Sequence, residues 1–241
     1  MQLALDIGNS RIKWGLRDRG QWHGTGALPT ASWVLLEPLL REHLPLTRVL
    51  ATLVAGTEVA AGIAACCATV GVPLQWIHAE RAAGGVVNRY DTPQQLGPDR
   101  WAALIGAHAL TDQPAVVVCA GTATTVDALS ATGEFLGGII LPGLSLMTQA
   151  LRSSTAGLSA GTDGLFTAFP RSTVDAIATG RILATVGAIE RLARTLQSQQ
   201  TQPVVCVLSG GHGPLLAAHL DLPVVDVEYL VLEGLARLMS G

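Results

Sequence analysis

Lysine is almost missing from this chain: of its 15 basic residues only Lys13 is a lysine, and the arginines are scattered without a cluster or stripe. With 18 acidic residues and a net charge of -3, and a pI near 6.0, no basic face is expected to hold nucleic acid. No window reaches the uninterrupted apolar length that crosses a bilayer, so a mean hydropathy of +0.42 reflects Ala, Val and Leu in buried elements. A secretory leader is not expected either, because Asp6 interrupts the N-terminal apolar run and no small-residue cleavage site follows. The 4 cysteines (Cys66, Cys67, Cys119, Cys206) include an adjacent pair that cannot readily bridge, and none has metal-site spacing. A reducing, cytoplasmic compartment is the expectation. There is no Ser- or Gly-rich linker and no low-complexity tract.

What is present is a core and an echo. At 241 residues and 49% hydrophobic, the chain can bury one large core or two small ones. Near the start stands Asp6-Ile-Gly-Asn-Ser-Arg-Ile-Lys13, and about half the chain later Cys119-Ala-Gly-Thr-Ala-Thr-Thr-Val-Asp127. Each follows an apolar run of strand character, turns at a glycine (Gly8, Gly121), and returns to β-branched residues. Such a turn presents backbone N–H groups and short donors to phosphate oxygens. Two copies predict a duplicated domain with a nucleotide between the halves, 1–112 and 113–241, divided near Thr111-Asp-Gln-Pro114.

Strand and helix patterns alternate, which predicts an α/β layered fold. Strands are expected at 2–7, 12–16, 21–24, 48–54, 74–78, 115–118, 124–129, 135–141, 204–208 and 223–227. Helices are expected at 33–43, 58–70, 101–110, 144–152, from about 172 to 198, at 214–219 and at 229–239. Residues 84–98 and 153–172 read as loops, rich in Gly, Pro and small polar residues.

A phosphate site needs N–H donors and a carboxylate that can hold Mg²⁺, usually through water. Asp6, ending the first strand beside Gly8, is the right type in the right place; capping of the turn is the simpler alternative. Thr122, Thr124 and Thr125 offer hydroxyls at the second turn, although β-propensity alone accounts for Thr124 and Thr125. Gly210-Gly211 opens a helix that could face an anion, or a purine and ribose, or serve only as a packing turn. Phosphoryl transfer also needs a group that positions or deprotonates the attacking hydroxyl. Asp99 is the best carboxylate for this, with helix capping as its structural alternative. Arg100 could pair with an anionic substrate.

These motifs, together with Gly97-Pro-Asp-Arg100, Gly121-Thr-Ala-Thr-Thr-Val-Asp127, Gly137-Gly-Ile-Ile-Leu-Pro-Gly143 and Ser209-Gly-Gly211, occur in the order seen in type III pantothenate kinases, which the chain resembles over almost its whole length. The resemblance implies two duplicated ribonuclease-H-like (actin-like ATPase) domains, with mixed sheets flanked by helices and the nucleotide in the cleft between them. It implies a homodimer with the substrate site at its interface, and ATP-dependent phosphorylation of pantothenate to 4'-phosphopantothenate, the first step toward coenzyme A. Carried over by position, Asp6, Ile7, Gly8, Asn9, Ser10, Arg11, Ile12 and Lys13 would form the ATP phosphate loop, with Asp6 near Mg²⁺ and Thr122 contacting ATP. Asp99 would be the general base. Tyr90, Gly97, Pro98, Asp99 and Arg100 would line the pantothenate site, with Thr173 contributing across the interface.

One position departs from the family. Where it usually has an Asp that binds a monovalent cation such as K⁺ or NH₄⁺, this chain has Cys119, a poor ligand for a hard cation, unless carbonyls or Asp127 compensate. Altered or absent K⁺ dependence is therefore expected. Two other readings stay open here: a kinase of the same architecture for another small hydroxy acid or sugar, and a non-catalytic ATP-binding accessory protein.

Overall fold

The computed structural model describes residues 1–154 and 164–239, so 155–163 of the expected loop lie outside the described residues. In chain order the elements begin β1 (Gln2–Ile7), β2 (Arg11–Asp18), β3 (Gln21–Pro29), α1 (Leu36–Glu42), β4 (Arg48–Leu53), α2 (Thr57–Val70), β5 (Leu74–Trp76), β6 (Ala82–Ala83), β7 (Val86–Asn88) and α3 (Pro98–Leu110). There follow β8 (Ala115–Ala120), β9 (Ala123–Leu129), β10 (Glu134–Pro142), α4 (Leu144–Ser154), α5 (Thr173–Gln197), β11 (Val205–Ser209), α6 (Gly213–Ala217), β12 (Val224–Asp226) and α7 (Leu230–Met239). They form two compact units: Met1–Asp112 with Gly133–Phe135 and Tyr229–Gly241, and Gln113–Thr132 with Leu136–Glu228.

In the first unit β1, β2 and β3 form an antiparallel meander, and β4 and β5 add in parallel, giving the order β3-β2-β1-β4-β5. Side chains alternate across a strand. Leu3, Leu5 and Ile7 therefore pack on one face with Leu36 and Leu40 of α1 and Ile63 of α2. Ala4 and Asp6 point to the other face, where α3 and α7 lie against β1 and β4. This alternation aims Asp6 at the side of the sheet that carries α3.

Residues 229–239 cluster with this first unit, whereas a division near residue 112 would put them in the second half of the chain. The cause is backbone contact between α3 and α7. A Cβ at Gly106 would come within 2.6 Å of the Leu230 carbonyl, and one at Gly234 would overlap the Ala102 carbonyl.

In the second unit β8 and β9 are antiparallel, β11 runs parallel to β8 and β12 parallel to β11, in the order β12-β11-β8-β9-β10. Counted from the strand that precedes each glycine turn, this is the order of the first sheet repeated. The longest helix, α5, covers one face, with Ile182, Val186 and Ile189 against Val116, Val118, Val126 and Ala128. It starts where expected: the Ser172 hydroxyl accepts from the Asp175 amide at 3.2 Å, satisfying one of the free N–H groups of the first turn.

Two local expectations change. The helix at 33–43 divides into a 3-10 turn, Thr30–Leu35, and α1, with Ser32 outside helical geometry (φ -101°, ψ 25°). The loop at 84–98 is partly ordered: Gly84 and Gly85 (φ 58° and 86°) make the two-residue turn of the β6–β7 hairpin. Both positive φ values suit only glycine at low cost. β7 also pairs in parallel with Glu134 and Phe135 of β10. That partner is 45 or more residues away, so no local periodicity marks the strand.

Candidate active site

The first glycine turn is built by backbone and pinned by a buried threonine. The Gly8 amide donates to the Arg11 carbonyl at 3.0 Å, and the Thr30 amide to the Ser10 carbonyl at 3.1 Å. The Thr30 hydroxyl donates to the Gly8 carbonyl at 2.7 Å. Asn9, Ser10 and Arg11 are thereby held exposed at the tip. Ile7 and Ile12, at its base, are fully buried in the core, so their side chains serve the fold and only their backbone is near the turn.

Asp6 is 9% exposed and sits in register with Lys13 on β2 and Thr52 on β4. Lys13 Nζ is 3.8 Å from Asp6 Oδ2, and the Thr52 hydroxyl donates to Asp6 Oδ1 at 3.2 Å. Burial pushes the Asp6 carboxyl up from 3.8 to about 6, against the pull of Lys13; the nearby charge of Asp99 pushes it further up, and the Thr52 bond pulls it down. Two carboxylates thus feel each other at the end of β1. A divalent cation shared with phosphate oxygens would relieve that arrangement, because Mg²⁺ is commonly held by one or two carboxylates plus phosphates and water. Among the described residues no group of three or more His, Cys, Asp or Glu could hold a metal by itself. The donor set would therefore fit Mg²⁺ only with phosphate present, and Asp6 is the buried carboxylate available to it.

Asp99 is the second residue of α3, not its cap; the cap position is Gly97, and Pro98 opens the helix without an N–H to satisfy. A Cβ at Gly97 would lie 2.6 Å from Asp99 Oδ1, so glycine there leaves room for the carboxylate. The neighbouring Arg100 is 6% exposed. Its guanidinium carbon is 5.9 Å from the ring centroids of both Tyr90 and Phe135, and those rings are 5.0 Å apart. The Tyr90 segment is shaped by Asn88, fully buried, whose side chain donates to the Pro93 carbonyl at 3.1 Å and accepts from the Tyr90 amide at 3.1 Å. Arg81 binds the carbonyls of Asn88 at 3.0 Å and Tyr90 at 3.1 Å. In the first unit, then, Asp6, Lys13 and Asp99 form one electrostatic group, and Tyr90 and Arg100 a cation–aromatic one that begins at the residue after Asp99.

The sequence reading missed Thr30, Thr52, Asn88 and Phe135. For Thr52 a signal existed: it is the polar residue inside an otherwise apolar buried strand, and a fully buried hydroxyl needs a partner. For Phe135 the signal is tertiary only.

The remaining candidates belong to the second unit. Thr122 is exposed at the β8–β9 turn, and its carbonyl accepts from the Gly143 amide at 3.0 Å. Cys119, half-buried near the end of β8, pairs in register with Thr125 and Ser209. Alternation puts Asp127, 1% exposed, on the same face as Thr125. The Thr125 hydroxyl is buried without a hydrogen-bond partner among the described residues. Oxygens of Thr125 and Asp127 suit a hard monovalent cation, and the Cys119 thiol does not. Thr173 is the first residue of α5 and lines an apolar groove of about 770 Å³ with Met147, Leu151, Ile177 and Arg181.

Solved structures identify the fold. The chain resembles a conserved Campylobacter jejuni protein named as a Baf family transcriptional activator, with a TM-score of 0.66 at 22% identity, covering 99% of this chain and 97% of that one. It also resembles the PilM–PilN type IV pilus biogenesis complex, with a TM-score of 0.53 at 15% identity, covering 98% and 97%. Such identities speak for fold alone, and the fold is that of the actin-like ATPases. Sequence narrows it further. The profile of type III pantothenate kinases matches residues 2–195, and the type III pantothenate kinase of Aromatoleum aromaticum is 49% identical over 236 residues, 98% of this chain and 96% of that protein. The chain belongs to the type III pantothenate kinase family, ATP-using transferases that carry out the first step of coenzyme A biosynthesis. No described helix is long and apolar enough to cross a membrane.

Proposed function

We propose that Asp99 is the general base of this kinase and that the turn after Asp6 holds ATP phosphates. What supports this is the placement of Asp99 near enough to the buried Asp6, at the end of β1, for its charge to raise the Asp6 carboxyl. In the reaction the pantothenate hydroxyl oxygen forms a bond to the γ-phosphorus, the bond from that phosphorus to the β,γ-bridging oxygen breaks, and ADP leaves. Asp99 takes the hydroxyl proton. Lys13 and the N–H groups of the 8–13 turn stabilise phosphate charge, with Thr122 contributing from its own turn. Asp6 would hold Mg²⁺, through water, and that ion would supply charge neutralisation at the phosphoryl group. Arg100 binds the pantothenate carboxylate, with Tyr90 against the substrate body and the backbone of Gly97 and Pro98 completing the wall.

The resemblance further supports a homodimer in which Thr173 completes the partner's substrate site; the apolar groove beside Thr173 is the kind of surface a second copy would cover. Four free cysteines accord with a reducing cytoplasm. The test is ADP release by the purified protein with ATP and Mg²⁺, with and without pantothenate. Pantothenate-dependent release is expected, and Asp99→Asn should cut turnover by about two orders of magnitude or more. A folded Asp99→Asn protein with nearly full activity would reduce Asp99 to a first-turn helix acid.

A further inference from the structure

Within the second unit three distant segments meet at the backbone of Ala120, Gly121 and Thr122. A Cβ at Gly143 would overlap the Gly121 carbonyl and lie 2.5 Å from that of Thr122. A Cβ at Gly210 (φ 105°) would overlap the Ala120 carbonyl. The His212 amide donates to the same Ala120 carbonyl at 3.2 Å. Glycine at these points lets the chains touch, and it carries Ser145 and His212 to the same place. Ser145 Oγ and His212 Nε2 are 3.3 Å apart across 67 residues of sequence.

Around this pair the surface is open. Gly121, Thr122, Ala123, Ser145 and Gly211 are exposed, and a Cβ at Gly211 would meet nothing within 4 Å. His212 Nδ1, by contrast, is buried and has no hydrogen-bond partner among the described residues. A buried N–H without an acceptor costs more than a buried bare ring nitrogen, so the proton belongs on Nε2. Nε2–H then donates to Ser145 Oγ, and the Ser145 hydroxyl proton is left to donate outward. Ser145 is not needed as a cap, since it is the second residue of α4.

We propose that Ser145 and His212 are a positioning pair for the nucleotide, Ser145 donating a hydrogen bond to a phosphate oxygen of ATP and His212 fixing the direction of that hydroxyl. The proposal rests on the assignment of Thr122 and its turn to ATP and extends it by two residues which no motif singled out for a role.

The experiment compares ATP binding by calorimetry, and KM for ATP and for pantothenate, in wild type, Ser145→Ala, His212→Ala, His212→Gln and the Ser145→Ala/His212→Ala double variant. Each alanine variant should raise the ATP Kd and KM about tenfold, the scale of one hydrogen bond to a charged group. The pantothenate KM should stay unchanged, and the double variant should be no worse than the worse single one. His212→Gln, whose amide N–H can replace Nε2–H, should recover most of the affinity. Unchanged ATP binding in Ser145→Ala overturns the proposal. So do fully additive effects, or a loss of Tm with equal changes in both KM values, which would mark a packing role. Wild-type protein that binds ATP but shows no pantothenate-dependent turnover would refute the kinase reading and leave the pair to be judged by calorimetry. Wild-type protein that fails to bind ATP overturns both.

Discussion

Replacing the Asp6 carboxylate by an amide should stabilise the free protein while abolishing its activity. An unfolded Asp has a pKa near 3.8, and burial, opposed by Lys13, lifts the native value to about 6. Between those values the native state holds a proton that the unfolded state has lost, so this group's contribution to stability falls as pH rises from about 4 to 6. Above the native value the penalty is complete, and the difference between the two pKa values corresponds to about 3 kcal/mol. Below 3.8 both states carry the neutral acid and the penalty vanishes. Asp6→Asn keeps an acceptor for the Thr52 hydroxyl and removes the charge. Urea unfolding of wild type and Asp6→Asn from pH 4 to 8 should therefore show nearly equal stabilities at pH 4. The variant should pull ahead by about 1–3 kcal/mol at pH 8, the lower end allowing for Lys13 left without its partner. Saturating MgATP should narrow that gap in wild type, because ligand that binds only the native state stabilises it. A variant less stable than wild type by the same amount at every pH would show that the carboxylate is comfortable where it lies, and the electrostatic account of the site would fail.

Three other perturbations separate scaffold from site. Gly234→Ala forces a methyl group into the Ala102 carbonyl and should lower stability by about 1–3 kcal/mol, read as a fall in the urea midpoint; an unchanged midpoint would mean that α3 and α7 can separate freely. Thr30→Val removes the hydroxyl that holds the Gly8 carbonyl and should cost about 1 kcal/mol with a several-fold rise in ATP KM, whereas a stability loss with unaltered ATP KM would separate the turn from ATP. Titration of activity with KCl against a choline salt should show weak or no activation, given a thiol at Cys119; strong activation would mean that oxygens such as those of Thr125 and Asp127 suffice.

The two glycine turns, the alternation of strand and helix, and the start of a helix beside Pro98 and Asp99 were legible from residue order, because each depends on local chemistry: glycine at a bend, period-2 and period-3.6 patterns, proline without an N–H. The family was legible for the same reason, since its motifs are short and contiguous. Register and long-range pairing were not. Thr52 meets Asp6 only because β4 lies beside β1, and Phe135 meets Tyr90 only because β10 pairs with β7 across 45 or more residues. The hairpin inside 84–98 reads as loop until its parallel partner is supplied. Residues 229–239 join the first unit because glycines at 106 and 234 allow two helices to touch, a contact that neither helix announces in its own pattern. The order of residues specified which groups could do phosphoryl chemistry. Tertiary packing alone decided which of them are close enough, and dry enough, to alter one another's charge, since Coulomb energy and desolvation depend on distance and burial that sequence separation does not measure.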